Sequence, residues 1–475
     1  MAAVFREEAQ AMTGLLQAEW LRFIRNPVNL WVIAAFFILL AGSALWSGLA
    51  ASEFRANASC GPEFIRAAAK DANTLQDAGK LTPTEMHDAP ATGKGGDMAK
   101  PADSTTVCLP ALGGLALNVR QMDLLGSELR LSTRSRYTDG RNSDQLFNPL
   151  LRELGLLDFA SVLALLLPLT VIALTYGLVQ EDRERGVWRL VCAQMPQPWL
   201  LVFAALVVRL GMILVSALVA SSLAFMLDSG STLYAATHWL VFVGVFAGVW
   251  IMVSGLFLLL PVSSGAAAVG LLGVWLVTTF AVPAGLSWAA NDMQTMPSRL
   301  TAIVDIRRVQ AQTAKQQAEL LSAWYQMHPD IKSLKEPPRE IAGLPANLEL
   351  DSKVRPLMYR FDEVRKAHFE FMERWSALSP ALAAVLTADR LAGIDAPRYA
   401  EYIQAANQFE DRWRAFFVPG IMGKQGMSPP DYEQLPVVKA LPRADMVWTV
   451  ILRQSLNGIL LLLVLIALRK QFGKP

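Results

Sequence analysis

Hydrophobic and polar positions alternate along this chain on the scale of whole segments. Six apolar runs stand out, at residues 28–49, 159–180, 200–227, 233–260, 265–288 and 446–468. A helix needs roughly 20 apolar residues to cross a bilayer, and each run supplies about that many. Residues 229–291 form a stretch of 63 without Asp, Glu, Lys or Arg, room for two crossings and a tight turn at 261–265. In lipid every backbone polar group must be satisfied within the segment, so each run is predicted to be a helix. Pro168 is expected to kink the second run, which otherwise leads into Glu181 without a turn signal.

The remaining pieces are 1–27, 50–158, 181–199, 289–445 and 469–475. Short loops rich in Lys and Arg stay on the cytoplasmic side. Arg6, Arg22 and Arg25 precede the first run, Arg183, Arg185 and Arg189 sit in 181–199, and Arg469, Lys470 and Lys474 follow the last. The short link near 228–232 carries none. With six crossings all three basic segments fall on one face, so both termini are expected in the cytoplasm and 50–158 and 289–445 outside it. The polar lead before the first run is too long for a signal peptide, so an uncleaved anchor is expected. The fold class is thus an all-α integral membrane protein with a largely helical extracytoplasmic domain.

Within 289–445 helix formers run for some thirty residues without Gly or Pro, from Ser298 to Met327. Leu357, Met358, Phe361, Val364, Phe369 and Met372 follow near helical spacing, as do Tyr399, Tyr402, Ile403, Phe409, Trp413 and Phe416. These aromatics suit a bundle core better than a ligand cage. Segment 50–158 has a Pro-, Gly- and Thr-rich middle at 77–106, with Met86, His87, Asp88 and Met98 as solvated loop residues rather than a metal site. Cys60 and Cys108 flank that loop on the side where disulfides persist. A bridge between them is favoured over two buried thiols. Cys192, on the opposite face, is expected to stay reduced.

The net charge of +2 gives no signal for a polyanion, so nucleic acid is not an expected partner. No CxxC, HExxH or clustered histidines suggest a metal. Before the first run, Met12, Leu15, Leu16, Trp20, Phe23 and Ile24 recur near i, i+3, i+4, followed by Arg22 and Arg25 and stopped by Pro27. That pattern predicts an amphipathic helix on the membrane surface with its elbow at Pro27. The densest charge lies at Glu181, Asp182, Arg183, Glu184, Arg185 and Arg189, ahead of an amphipathic piece at 187–195. Its balanced signs suit protein contacts or internal ion pairs better than lipid headgroups.

The stretch "EDRERGVWRLVCAQMPQPWLLVFAALVVRL" resembles the loop between the second and third spans of ABC-2-type permeases. Glu181, Glu184, Gly186, Arg189 and Gln194 match the pattern there, although Val187 and Trp188 replace a Thr-Leu pair and Met195 stands where a Pro usually falls. A basic residue common early in the third span appears only as Arg209. "EWLRFIRNP" resembles the interfacial helix of the same family. "MPSRL", "LSPALA" and "DRWRAFFVP" resemble a subfamily with large outer insertions and a domain of unknown function. The resemblance implies a permease subunit of export type in a bacterial inner membrane. Its partners would be cytoplasmic ABC ATPase subunits carrying ATP and Mg, and a second permease of the same or a related chain.

This chain has no G-x-x-x-x-G-K-[ST] loop and is itself not expected to be an enzyme. By position, Glu181, Asp182, Glu184, Arg185, Gly186 and Arg189 become coupling or gate residues, with Leu15, Leu16, Trp20, Arg22, Phe23 and Arg25 on the interfacial helix. Whether the acids touch the ATPase or pair with Arg183 and Arg185 stays open. Arg453, about 10 Å into the sixth run at 1.5 Å per residue, with Asn457 one turn further, either snorkels outward or faces a pathway. A second functional class also fits: a mechanotransmitter that moves its outer domain against a periplasmic partner with nothing crossing.

Overall fold

The computed structural model describes residues 2–57, 105–139, 158–195, 197–332, 337–423, 435–436 and 447–470. Cys60, Met86, His87, Asp88, Met98 and Lys474 lie outside the described residues. So, therefore, do most of the 77–106 loop and one end of the expected Cys60–Cys108 bridge.

Six helices are long and apolar enough to cross a membrane: Pro27–Ala56, Phe159–Glu184, Trp199–Leu227, Leu233–Leu258, Ser264–Met293 and Val447–Leu468. They are spans one to six below. The N-terminal helix Ala2–Arg25 stops at Asn26, and span one begins on Pro27, where a missing N–H costs nothing. Span two departs from expectation. Its regular helix ends at Thr175, and four turn residues intervene before the short helix Gln180–Glu184. Gly177 sits at that break, and a Cβ there would collide with the Glu181 carboxylate. Span five carries a π-helical stretch, Val277–Ala281, between two regular halves.

Span three packs along span one and also meets spans two and four, and span four packs along span six. Large apolar side chains fill these seams: Phe159, Trp239, Phe242, Phe246 and Trp250 are all essentially inaccessible. Spans two, three and four form the enclosed centre, while spans one, five and six are peripheral. Span five is the least covered, with 11% of its apolar window buried against 56% for span two, so most of its circumference faces outward.

The chain is mostly helical but not all-α. Strands β1 (Thr105–Cys108) and β2 (Glu128–Leu131) form an antiparallel hairpin. The Tyr402 hydroxyl donates to the Val107 and Ser127 carbonyls at 2.9 and 3.1 Å and ties the hairpin to helix Ala396–Met422. That helix buries Tyr402, Phe409 and Trp413, so these aromatics are core. Beside them lies a charge-balanced network. Glu410 accepts from Arg136, Arg355 and Arg414, while Arg414 also meets Asp351 at 2.6 Å and Arg355 meets Asp411 at 2.7 Å. Charges this well enclosed persist only when paired and hydrogen-bonded. The two long segments outside the spans thus build one helical domain.

The helix Pro380–Ala392 joins that domain to the bundle. It is Ala-rich and almost wholly buried, and it packs against spans two, four and six. Ser379 caps its start, accepting from the Leu382 N–H at 3.1 Å. Gly393 ends it at φ +79°, a left-handed conformation that disfavours any residue with a Cβ. The strip 112–114 lies against its last turn, with the Leu112 and Gly114 N–H groups donating to Ala392 and Leu391 carbonyls.

Candidate functional site

At one end of the bundle the N-terminal helix, the charged loop and the span four–five turn meet. The N-terminal helix turns Glu19 and Phe23 inward, with Leu15 and Leu16 half-buried beside them. Trp20, Leu21 and Ile24 point away from the protein, the arrangement of a helix lying in an interface. Glu19 is the surprise on the inner face. Its carboxylate lies 3.6 Å from Nη1 of Arg209, a buried residue of span three. Arg209 also donates to the Leu174 and Ala205 carbonyls at 2.8 and 3.0 Å, and its guanidinium lies over the Phe23 ring. Arg22 bridges Glu19 and, at 3.5 Å, Asp182 of the loop. Burial pulls the Arg22 guanidinium down, but Glu19 and Asp182 outweigh it and hold it above its ordinary value.

The charged loop itself staples helix ends. The last carbonyls of a helix and its first N–H groups have no partners within the helix. Gln180 donates to the Phe257 carbonyl at 3.0 Å, and Arg183 reaches the Leu258 and Leu260 carbonyls, closing the end of span four. Glu184 accepts from the Ser264 N–H at 2.7 Å and from its hydroxyl, closing the start of span five. Signs match the helix dipole at both ends, a cation at the C-terminus and an anion at the N-terminus. Arg185 pairs with Glu181 at 3.6 Å in a solvent-exposed i,i+4 contact. Gly186 then adopts φ +74° and starts the short helix Val187–Gln194. Trp188 anchors that helix, almost fully buried, while Val187, Arg189 and Leu190 face out. Among the described residues Arg189 has no hydrogen-bond or ion-pair partner. Cys192 remains a thiol.

The end of span six reaches this same assembly: Arg469 stacks over the Trp199 ring at 5.5 Å. Glu181, Asp182, Glu184, Arg185 and Gly186 therefore sit together with Arg22, Phe23 and the Arg469 end on one platform. The intramolecular partners of the acids include Arg22, Arg185 and Ser264. Glu19, Gln180 and Ser264 were not singled out in the sequence, and Arg209 was named only as a displaced basic residue of the third span, without its partner. A lone Glu inside an amphipathic stripe and a lone Arg inside an apolar span were the available signals, since each demands a partner.

Arg453 and Asn457 are at the opposite end. Arg453 donates to the Glu373 carbonyl at 2.7 Å, Gln454 to that of Ser376 at 2.9 Å, and Asn457 to that of Ala377 at 2.7 Å. Span six thereby caps the end of the long helix Leu344–Trp375 and the turn after it. Nearby, Arg55 at the end of span one grips Asp228 at the end of span three with two hydrogen bonds and adds the Ala111 and Leu112 carbonyls of the helical domain. No curated protein and no solved structure matches the chain. Residues 299–439, most of the helical domain's second segment, match the family model of a domain of unknown function, DUF3526.

Proposed function

We propose that this chain is the membrane-spanning permease subunit of an ATP-driven ABC transporter of the ABC-2 type, acting in export. The platform built from the N-terminal helix, the 181–194 loop and the span four–five turn is the docking and coupling surface for a separate cytoplasmic ATPase, which carries ATP and Mg. The observation that carries this reading is the linkage Asp182–Arg22–Glu19–Arg209 together with the Gln180, Arg183 and Glu184 caps. A push on the exposed short helix at 187–194 moves the ends of spans three, four and five and the N-terminal helix as one body, the rigid-body transmission that nucleotide-driven closure needs. In this reading the platform and both termini face the cytoplasm of a bacterial inner membrane, and the helical domain faces the periplasm. A second permease copy, or a related chain, covers the outward faces of the spans.

A second reading is favoured by the clamps at the domain end. Arg55–Asp228 and the caps from Arg453, Gln454 and Asn457 join spans one, three and six to the helical domain. Motion of the spans then becomes motion of that domain, and the chain could serve as a mechanotransmitter acting on a periplasmic partner. Affinity purification of the full chain in mild detergent tests the common premise. A nucleotide-binding ATPase should co-purify, and its absence under every nucleotide condition overturns both readings. Transport of a solute by the reconstituted complex selects the first reading; ATP-dependent domain motion without transport selects the second.

A further inference from the structure

A cavity of about 210 Å³ opens between the domain-side end of span five and the long helix Leu344–Trp375. Ala290, Met293 and Gln294 line one wall, and His368, Glu370, Phe371 and Arg374 line the other. His368 fixes the wall spacing by donating from Nε2 to the Gln294 carbonyl at 2.7 Å. That bond leaves Glu370 and Arg374, one helical turn apart, as the charged groups of the cavity.

Two independent rulers set its depth in a membrane. Span five runs from Ser264 to Met293. At 1.5 Å per residue, Ala290 lies about 39 Å from Ser264, roughly 9 Å beyond a 30 Å hydrocarbon core. Span six starts at Val447, so the Arg453 backbone lies about 9 Å inward of the domain-side edge, and its long side chain reaches back toward that edge to hold the Glu373 carbonyl at 2.7 Å. The end of the long helix therefore sits near the hydrocarbon edge, and its preceding turn, with Glu370 and Arg374, falls in the headgroup layer. Below the cavity the outward face of span five presents Val277, Phe280 and Trp288, each at least half exposed, and the π-helical stretch interrupts it there. Trp375 and Leu378, which follow Arg374 in the chain, are also exposed.

We propose that this cavity binds the headgroup of an ethanolamine phospholipid in the domain-side leaflet, with its acyl chains along span five. The headgroup carries a phosphate and a primary ammonium a few ångströms apart. Arg374 takes the phosphate in charge-assisted hydrogen bonds. Glu370 takes the ammonium, which can donate three hydrogen bonds. Among the described residues Arg374 has no ion pair, and the only one at Glu370 is a loose 4.0 Å contact to Lys366, which a lipid ammonium can replace. Phe371, between the two charges on the helix, offers a ring face to the ethylene link. An anionic headgroup without an amine leaves Glu370 repelling it, and a choline headgroup brings no N–H to donate. This site requires only that the six helices span a bilayer, and it does not rest on the ATPase reading.

The test is lipid competition on the wild-type full chain in nanodiscs, read by native mass spectrometry of the protein released with its bound lipid. Phosphatidylethanolamine should be retained about tenfold better than phosphatidylglycerol or phosphatidylcholine of the same chains, the size of one charge-assisted hydrogen bond. Glu370→Gln should erase the preference for ethanolamine over glycerol, and Arg374→Gln should lower retention of every phospholipid. Soluble glycerophosphoethanolamine should fail to displace the lipid at equal concentration, because it lacks the chains that cover span five. Equal retention of all three lipids by the wild type overturns the proposal, as does displacement by the chain-free headgroup. Unchanged retention in both variants overturns it as well.

Discussion

Glu19 and Arg209 are both buried, and Glu19 is the one ion-pair partner of Arg209 among the described residues, while Glu19 also meets Arg22. Removing Glu19 strands the buried Arg209 charge, at a cost of about 3–5 kcal/mol, and removing Arg209 leaves Glu19 with Arg22 alone. Glu19→Gln and Arg209→Gln should each lower the thermal midpoint in detergent sharply, and the double substitution should recover much of the loss. Strictly additive losses would show that the pair is not coupled. Asp389 makes a second prediction. It is buried, accepts from Asn118 at 2.6 Å, and burial pushes it up to about 7, with Asp395 and Asp158 adding to the rise and the Asn118 bond opposing it. The folded state therefore holds the proton more tightly than the unfolded chain. Stability from this group is complete at low pH and falls as pH rises from the ordinary carboxylate range to about 7. Asp389→Asn should flatten that slope, seen as thermal midpoints that no longer drop between about pH 4 and pH 7. These residues were illegible in the sequence because the partner of each lies far along the chain. Glu19 and Arg209 are 190 positions apart, and Asn118 and Asp389 are 271 apart.

At the scale of elements, hydropathy located all six long apolar helices, because an apolar run is a property of each segment alone, although the first runs to Ala56 and the fifth to Met293, past the expected ends at 49 and 288. The elbow at Pro27 was legible for the same local reason. What was not legible depends on long-range packing. The Ala-rich helix Pro380–Ala392 has the polarity of a surface helix, with Asp389 and Arg390, yet it is wedged among spans two, four and six because Asn118, Glu373 and Asp395 satisfy those charges. The β1–β2 hairpin was missed because its four-residue strands carry no alternation long enough to notice. The caps on helix Leu344–Trp375 supply the test at this scale. Removing them in the pair Arg453→Gln and Asn457→Ala costs about 1 kcal/mol per lost bond. Hydrogen exchange at 373–378 should rise several-fold while the 396–422 helix stays protected. Unchanged exchange at 373–378 would mean that span six does not hold the domain.

Across the whole molecule, two sets of polar contacts among the described residues hold the ends of the spans. One set binds the N-terminal helix, the 181–194 loop and the span four–five turn into a platform. The other binds spans one, three and six to the helical domain. Between them the bundle is apolar, and span five leaves most of its surface uncovered. Under the proposed function these two sets carry movement from one end of the bundle to the other, and the short helix Val187–Gln194, exposed at Val187 and Leu190, is the proposed contact for the ATPase. The measurement that tests this most directly places a photo-reactive residue at Leu190, exposed on that helix, in cells expressing the full chain. A matched probe at Val269, on the outward face of span five, serves as the control. The account predicts a covalent adduct between position 190 and a nucleotide-binding ATPase, its yield changing with ATP, and no such adduct from position 269. An absent ATPase adduct at 190 from a well-folded, membrane-inserted chain would contradict it.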